Sequence, residues 1–99
     1  MGYELSKDAD NDIVEIYVQG YENFGRIHAE SYADGLWKLL DLIGERPTLA
    51  RERKETKPPV RIHPYKSHVV IYTIQNETVN IQRIRHGREN WYQELTNLP

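Results

Sequence analysis

Apolar positions at Ala9, Ile13, Ile16, Tyr17 and Phe24, with small Gly20 on the same stripe, recur at helical spacing in the first quarter of the chain. Ser6 stands ahead of them as an N-cap. Asp8, Asp10 and Asp12 fall in or near the first turns, where the helix dipole favours anions. Gly25 follows as a stop, so the pattern predicts a helix over 6–24. A second stripe of Ala29, Tyr32, Ala33, Leu36, Leu39, Leu40 and Ile43 predicts another over 26–43, ended by Gly44 and Pro47. Two amphipathic helices joined by a single Gly turn fold back on each other as an antiparallel hairpin. Trp37, at the edge of the second stripe, is expected to be buried against the rest of the domain. Ahead of the hairpin, Tyr3 and Leu5 alternate around Glu4 and predict a short strand over 2–5.

After Ile43 the pattern changes. Residues 44–59, "GERPTLARERKETKPP", read as a polar linker. The period then becomes two over 60–86. "VRIHP" sets Val60 and Ile62 against Arg61 and His63, and "SHVVIYTI" is apolar on both faces, as a strand covered on both sides would be. "QNET" supplies a turn. "TVNIQRIR" alternates through Val79 and Ile81 and then slips, because Ile84 lies three positions after Ile81. A β-bulge near Gln82 and Arg83 would return Ile84 to the core face. The expected architecture is α+β, in the order β-α-α-β-β-β. The hairpin packs on one face of a twisted antiparallel sheet, and residues 87–99 form a C-terminal extension.

A chain of 99 residues with 38% hydrophobic content makes one domain with a modest core. No apolar run approaches the length that spans a bilayer, so no membrane partner is expected. The start "MGYELSKDAD" lacks the basic and apolar segments of a signal peptide, and the reading is of a cytoplasmic protein. Without cysteine there is no disulfide, thiol nucleophile or Cys-based zinc site. Charge is more informative. Residues 1–50 carry four Lys/Arg against ten Asp/Glu, and residues 51–99 carry nine against five. Such asymmetry suits either two faces that attract within the fold or one face that meets an anionic or acidic partner.

The densest cationic stretch is "RIRHGRENWY", residues 83–92. With Val60 and Ile62 assigned to the helix side, Arg61 and His63 face away from the helices, and beyond the bulge Arg83 and Arg85 do the same. These arginines would form a basic lining on the helix-free face, suited to bidentate pairing with phosphate or carboxylate. The same side chains could instead pair with Glu52, Glu55 and Glu89. His63, His68 and His86, at spacings of five and eighteen, match no zinc pattern, and hydrogen-bonding roles are expected for them. No metal or cofactor is called for. Trp91 reads as a cap on the open end of the sheet or as a contact aromatic.

Taken in order, "YELSKDADNDIVEIYVQGYENFG", "ERP", "VRIHPYKSHVVIYTI" and "VNIQRIRHGREN" resemble the ParE branch of the ParE/RelE superfamily, toxins of type II toxin–antitoxin systems. The resemblance runs from Tyr3 to about Trp91. Its most specific element is "SHVVIY" followed by "IQRIRHGREN", similar to the family's I-x-R-I-x-H-x-R ending. It implies the same β-α-α-β-β-β fold, a ParD-like antitoxin partner in a hetero-oligomer, and inhibition of DNA gyrase by direct binding. The contacts would come from Arg61, Arg83, Arg85, His86, Arg88 and Trp91. RelE-like relatives are instead ribosome-dependent mRNA endonucleases. On that alternative Arg61, Arg83, Arg88 and Tyr92 would be the catalytic set, with His68 where the enzymes place an arginine.

Overall fold

A computed structural model describes residues 2–89 together with Trp91 and Leu95. The chain runs β1 (Tyr3–Leu5), α1 (Lys7–Phe24), α2 (Arg26–Glu45), a 3-10 turn (Pro47–Leu49), β2 (Glu52–Arg53), β3 (Val60–Tyr65), β4 (His68–Gln75) and β5 (Thr78–His86). The strands form one sheet in the order β1-β5-β4-β3-β2. The class is α+β, as the change of period implies. Two details differ from the expectation. β1 runs parallel to β5, so the sheet is mixed. The segment 44–59 is partly ordered into the 3-10 turn and β2, which pairs antiparallel with β3 through Glu52↔Arg61 and Arg53↔Val60.

Local chemistry explains the hairpin. The Ser6 hydroxyl accepts the Ala9 N–H at 2.9 Å, capping α1. Gly25, at φ 90, closes α1 through its N–H to the Tyr21 carbonyl and offers its own carbonyl to Ala29. A side chain at that φ would be strained, so the sharp reversal needs glycine here. Ala9 and Ile13 of α1 meet Leu36, Leu40 and Ile43 of α2 over Val70, Tyr72, Val79, Ile81 and Ile84 of the sheet, forming the main core. Phe24 leaves the stripe to which the period assigned it, and Trp37, expected to be buried at the edge of its stripe, is not. Phe24 is 69% exposed at the hairpin tip and Trp37 is 38% exposed on α2.

The sheet has a second, smaller core on its far side. Val60, Ile62 and Ile71 pack there, covered by Val69, Trp91 and Leu95. This reverses the expected facing of β3: Val60 and Ile62 look away from the helices, and the alternate residues Arg61, His63 and Tyr65 take the helix side. The reason lies in register. Ile62 pairs with Ile71 and His63 with Val70, so the two apolar faces of β4 fix which β3 residues share each side. The bulge falls at Gln82. Tyr72 pairs with Ile81 and Ile71 with Arg83, leaving Gln82 without a partner and returning Ile84 to the main core.

The connection after α2 is held by two buried hydroxyls. Tyr72 donates to the Pro47 carbonyl at 2.8 Å and accepts from the Ala50 N–H at 3.2 Å. Thr56, fully buried, accepts from the Val60 N–H at 3.1 Å and directs its own proton toward the Arg53 and Pro58 carbonyls. A polar stretch that looks like linker in sequence is therefore fixed mainly by these hydrogen bonds, with Ala50 also packed into the main core.

Candidate functional site

β1 covers only the first half of β5, pairing with Val79 to Ile81, and the first two turns of α1 take over beyond it. The Ser6 N–H donates to the Ile81 carbonyl at 3.0 Å, and its hydroxyl donates to the Gln82 carbonyl at 2.6 Å. Asp12 follows. Its carboxylate accepts the Ile84 N–H at 2.9 Å and the Arg83 guanidinium at 2.8 and 3.1 Å. One helical carboxylate thus satisfies an edge-strand N–H and holds an arginine in a bidentate grip. That hydrogen bond keeps the Arg83 guanidinium above its ordinary pKa, with burial opposing.

A few residues on, Glu89 closes the turn after β5. It accepts from Arg85 at 2.8 and 3.2 Å and from the His86 N–H at 2.8 Å. These bonds hold its carboxyl below the usual carboxylate range.

Arg83 and Arg85 occupy far-face register positions opposite Ile71 and Val69. With Trp91 they border a cleft of about 440 Å³ on that side. Arg61 does not join them. It lies on the helix side and donates to the Ala50 carbonyl at 2.7 Å. The shared lining of Arg61, His63, Arg83 and Arg85 is therefore split between the two faces of the sheet. Arg88 sits in the turn, exposed, its backbone N–H donating to His86 Nδ1 at 3.1 Å. Tyr92 lies outside the described residues.

On the helix side a groove of about 470 Å³ opens between the hairpin tip and the ends of β4 and β5. Its rings run in sequence. Phe24 and His28 lie 4.7 Å apart, His28 and Tyr32 6.0 Å, Tyr32 and His68 5.6 Å, and His68 and His86 5.2 Å. His68 and His86 are direct cross-strand partners. The Tyr32 hydroxyl is hydrogen-bonded to His68 Nδ1 at 2.6 Å, with the donor set by the imidazole tautomer. Burial raises the pKa of Tyr32; burial and the neighbouring His86 lower that of His68. Lys66, on the β3–β4 turn at φ 51, sets its ammonium 5.3 Å from the Tyr32 ring and 5.6 Å from that of Tyr65. Among the described residues no group of three or more His, Asp or Glu side chains gathers as a metal site.

The arginine-rich stretch drew the sequence reading toward the far face, and it missed the groove's Phe24, His28, Tyr32 and Lys66. A signal was present. Phe24, His28 and Tyr32 recur every four residues, which stacks them along one side of the helices despite the intervening Gly25. In sequence His86 reads as a far-face contact and His68 as a hydrogen-bonding histidine, and nothing there pairs the two across adjacent strands.

The ParE toxin model, described as the ParE toxin of the type II toxin–antitoxin system parDE, matches residues 3–91. Toxin ParE1 of Mycobacterium tuberculosis (strain CDC 1551 / Oshkosh) is 30% identical over 87 residues, covering 87% of this chain and 89% of that protein. Toxin ParE1 of Caulobacter vibrioides is 28% identical over 88 residues, covering 89% and 91%. A chain from the chromosomal ParDE system of P. aeruginosa superposes with a TM-score of 0.76 at 16% identity, covering 87% of this chain and 95% of that one. It shares the fold. Matched over nearly its whole length, the chain belongs to the ParE toxin family of type II toxin–antitoxin systems.

Proposed function

We propose that this protein is the toxin of a type II toxin–antitoxin pair that inhibits DNA gyrase by binding it and is neutralised by a ParD-like antitoxin. Family membership supports the toxin role, and the disposition of the cations supports binding over catalysis. The endonuclease reading needs Arg61, Arg83 and Arg88 converging on one phosphate. Arg61 is instead engaged on the helix side with Ala50, Arg83 is gripped by Asp12, and Arg88 stands apart in the turn. Separation of the first two onto opposite faces of the sheet is the observation that carries this reading.

As a contact surface, the far-face cleft combines Arg83 and Arg85 with Trp91, the composition favoured at interface hot spots. Exposed Arg88 follows in the turn, whereas half-buried His86, also expected among the contacts, lies on the helix-side groove. The deciding experiment sets purified protein against gyrase in a supercoiling assay and against ribosomes in an mRNA-cleavage assay. Inhibition of supercoiling that Arg88→Ala weakens while staying within about 1 kcal/mol of wild type in stability, and that Trp91→Ala weakens beyond what its loss of packing on the second core explains, supports the proposal. Cleavage of mRNA without any effect on gyrase replaces it with the enzyme reading.

A further inference from the structure

The groove at the hairpin tip is built differently from the far-face cleft. Its described lining carries no Asp or Glu, although the chain has 15 acidic residues against 13 Lys/Arg. It holds His28, His68, His86 and Lys66 instead. Among the described residues no carboxylate stands within ion-pair distance of the Lys66 ammonium. The remaining walls combine Ile16, Ala29 and aromatic rings with the neutral polar Gln19, Asn23 and Ser67, ending in the exposed ring of Phe24.

Tautomers sharpen the picture. His86 Nδ1 accepts from the Arg88 N–H, and His68 Nδ1 is engaged by the Tyr32 hydroxyl. In the neutral His86 ring the proton then sits on Nε2, which is left a donor and not a lone pair. That arrangement disfavours metal ligation through Nε2 and favours an acceptor with negative charge.

We propose that this groove seats an acidic peptide segment of a partner protein, with one aromatic side chain against Phe24, His28 and Tyr32 and a flanking carboxylate at His68, His86 and Lys66, and that its docking takes up protons. This rests on the reading that the chain has a neutralising polypeptide partner, and it names where and how that partner is held. Charge complementarity selects the occupant, since the described lining carries a lysine and three imidazoles and no carboxylate. Ring stacking and burial of a rigid aromatic add affinity at small entropic cost.

The proton linkage follows from the groups around His68. From α1 it faces Asp12, with Glu15 and the neutral Gln19 further along the same cleft. From α2 it faces Tyr32, with His28 behind it. The β3–β4 turn contributes Lys66, and Tyr65 packs on Tyr32. From β5 and its turn come His86, Arg83, Arg85 and Glu89, with Arg83 and Arg85 already paired to Asp12 and Glu89. In the empty groove burial and the second imidazole keep His68 neutral near pH 7. A carboxylate brought beside both rings reverses that balance, so binding tightens as pH falls. A fully linked proton steepens affinity by at most about tenfold per pH unit. Partial linkage of the pair predicts about fivefold tighter binding at pH 6.0 than at pH 7.5.

The full chain is titrated with three acetylated, amidated peptides, EEWLEE, QQWLQQ and EEALEE, and followed by NMR of its backbone amides and imidazoles. EEWLEE shifting the groove resonances, more tightly at pH 6.0, with the other two at least about fivefold weaker, supports the proposal. His68→Asn with His86→Asn, in which the Asn amide can replace each Nδ1 hydrogen bond, should remove the pH slope. Lys66→Gln, on an exposed turn, should weaken binding and keep the slope. No groove shifts, or equal affinity for EEWLEE and QQWLQQ, overturns the proposal. A parallel titration with the cognate antitoxin separates the two readings. Antitoxin binding that is indifferent to pH and to the double Asn variant overturns the groove and leaves the toxin–antitoxin reading standing. Absence of antitoxin binding beside pH-dependent EEWLEE binding does the reverse.

Discussion

Replacing Asp12 tests how the open half of β5 is held. The carboxylate makes three hydrogen bonds, two to Arg83 and one to the Ile84 N–H, and its side chain is 13% exposed against 39% for Arg83. The arginine is more than one-third exposed, so its share is screened to roughly 0.5–1 kcal/mol. The edge N–H, left without its acceptor in a partly buried setting, costs about 1–2 kcal/mol. Asp12→Ala should therefore destabilise the domain by about 2 kcal/mol, or roughly 10 °C in Tm for a domain of this size. Asp12→Asn keeps an acceptor for Ile84 and should cost about 1 kcal/mol. Urea unfolding followed by far-UV circular dichroism, on Asp12→Ala, Arg83→Ala and the double variant, gives the coupling between the two side chains. The expected value is about 0.5–1 kcal/mol, falling with added salt. Strict additivity would refute the ion pair, and an Asp12→Ala protein within about 0.3 kcal/mol of wild type would refute the edge role as well.

Tyr72→Phe should cost about 1–3 kcal/mol, because the buried ring stays while Pro47 and Ala50 lose their partner; limited proteolysis should then cut within 46–53 first. Gly35→Ala should cost about 1–3 kcal/mol in thermal unfolding, since a Cβ there collides with the Tyr65 hydroxyl, which donates to the Tyr32 carbonyl at 2.7 Å. An unchanged Tm would show that Tyr65 moves aside freely. His68 is held below its ordinary pKa of 6.5, so the unfolded chain takes up its proton first. Stability should be full above pH 6.5 and decline as pH falls toward the folded value, with His68→Asn flattening the profile between pH 7.5 and 5.5. A wild-type profile already flat there would remove the cause.

The two-helix, then sheet order was legible because each helix carries an apolar stripe and the first stops at Gly25; the second runs through Gly44, expected to end it, to Glu45 and is capped at Arg46. The bulge was legible too, since Ile84 falls out of step with Val79 and Ile81 by one residue. Facing was harder. β3 alternates in both directions, with Val60 and Ile62 on one side and Tyr65 on the other, and both sides have a core to meet. Only the pairing with a two-faced β4 decides between them, and a single sequence does not carry that pairing. β2 was invisible for a related reason: a two-residue strand of Glu and Arg has no period, and it is held by Thr56 and by ladder bonds to β3. The groove escaped because its rings come from three separated segments, and their convergence depends on the Gly25 reversal.

The charge asymmetry between the halves of the chain now has a physical account. Part of it is settled inside the fold, where acidic α1 lies along the basic end of β5 and Asp12 meets Arg83. An acidic partner that drew on Arg83 would have to displace a carboxylate already in bidentate geometry and leave the Ile84 N–H to find another acceptor. Arg85 presents a similar competition with Glu89. Each displacement subtracts from the affinity gained, so charge reversal at these two arginines should weaken a complex less than their number suggests. Lys66, with no carboxylate to displace among the described residues, carries no such cost. If a partner's acidic groups act through Arg83 and Arg85, Asp12→Asn should tighten the complex by releasing Arg83. If they act through the groove, the same change should leave affinity within about twofold, since a shift of that size is only about 0.4 kcal/mol. Measuring the affinity of the Asp12→Asn protein for its antitoxin therefore tells the two faces of the sheet apart in one titration.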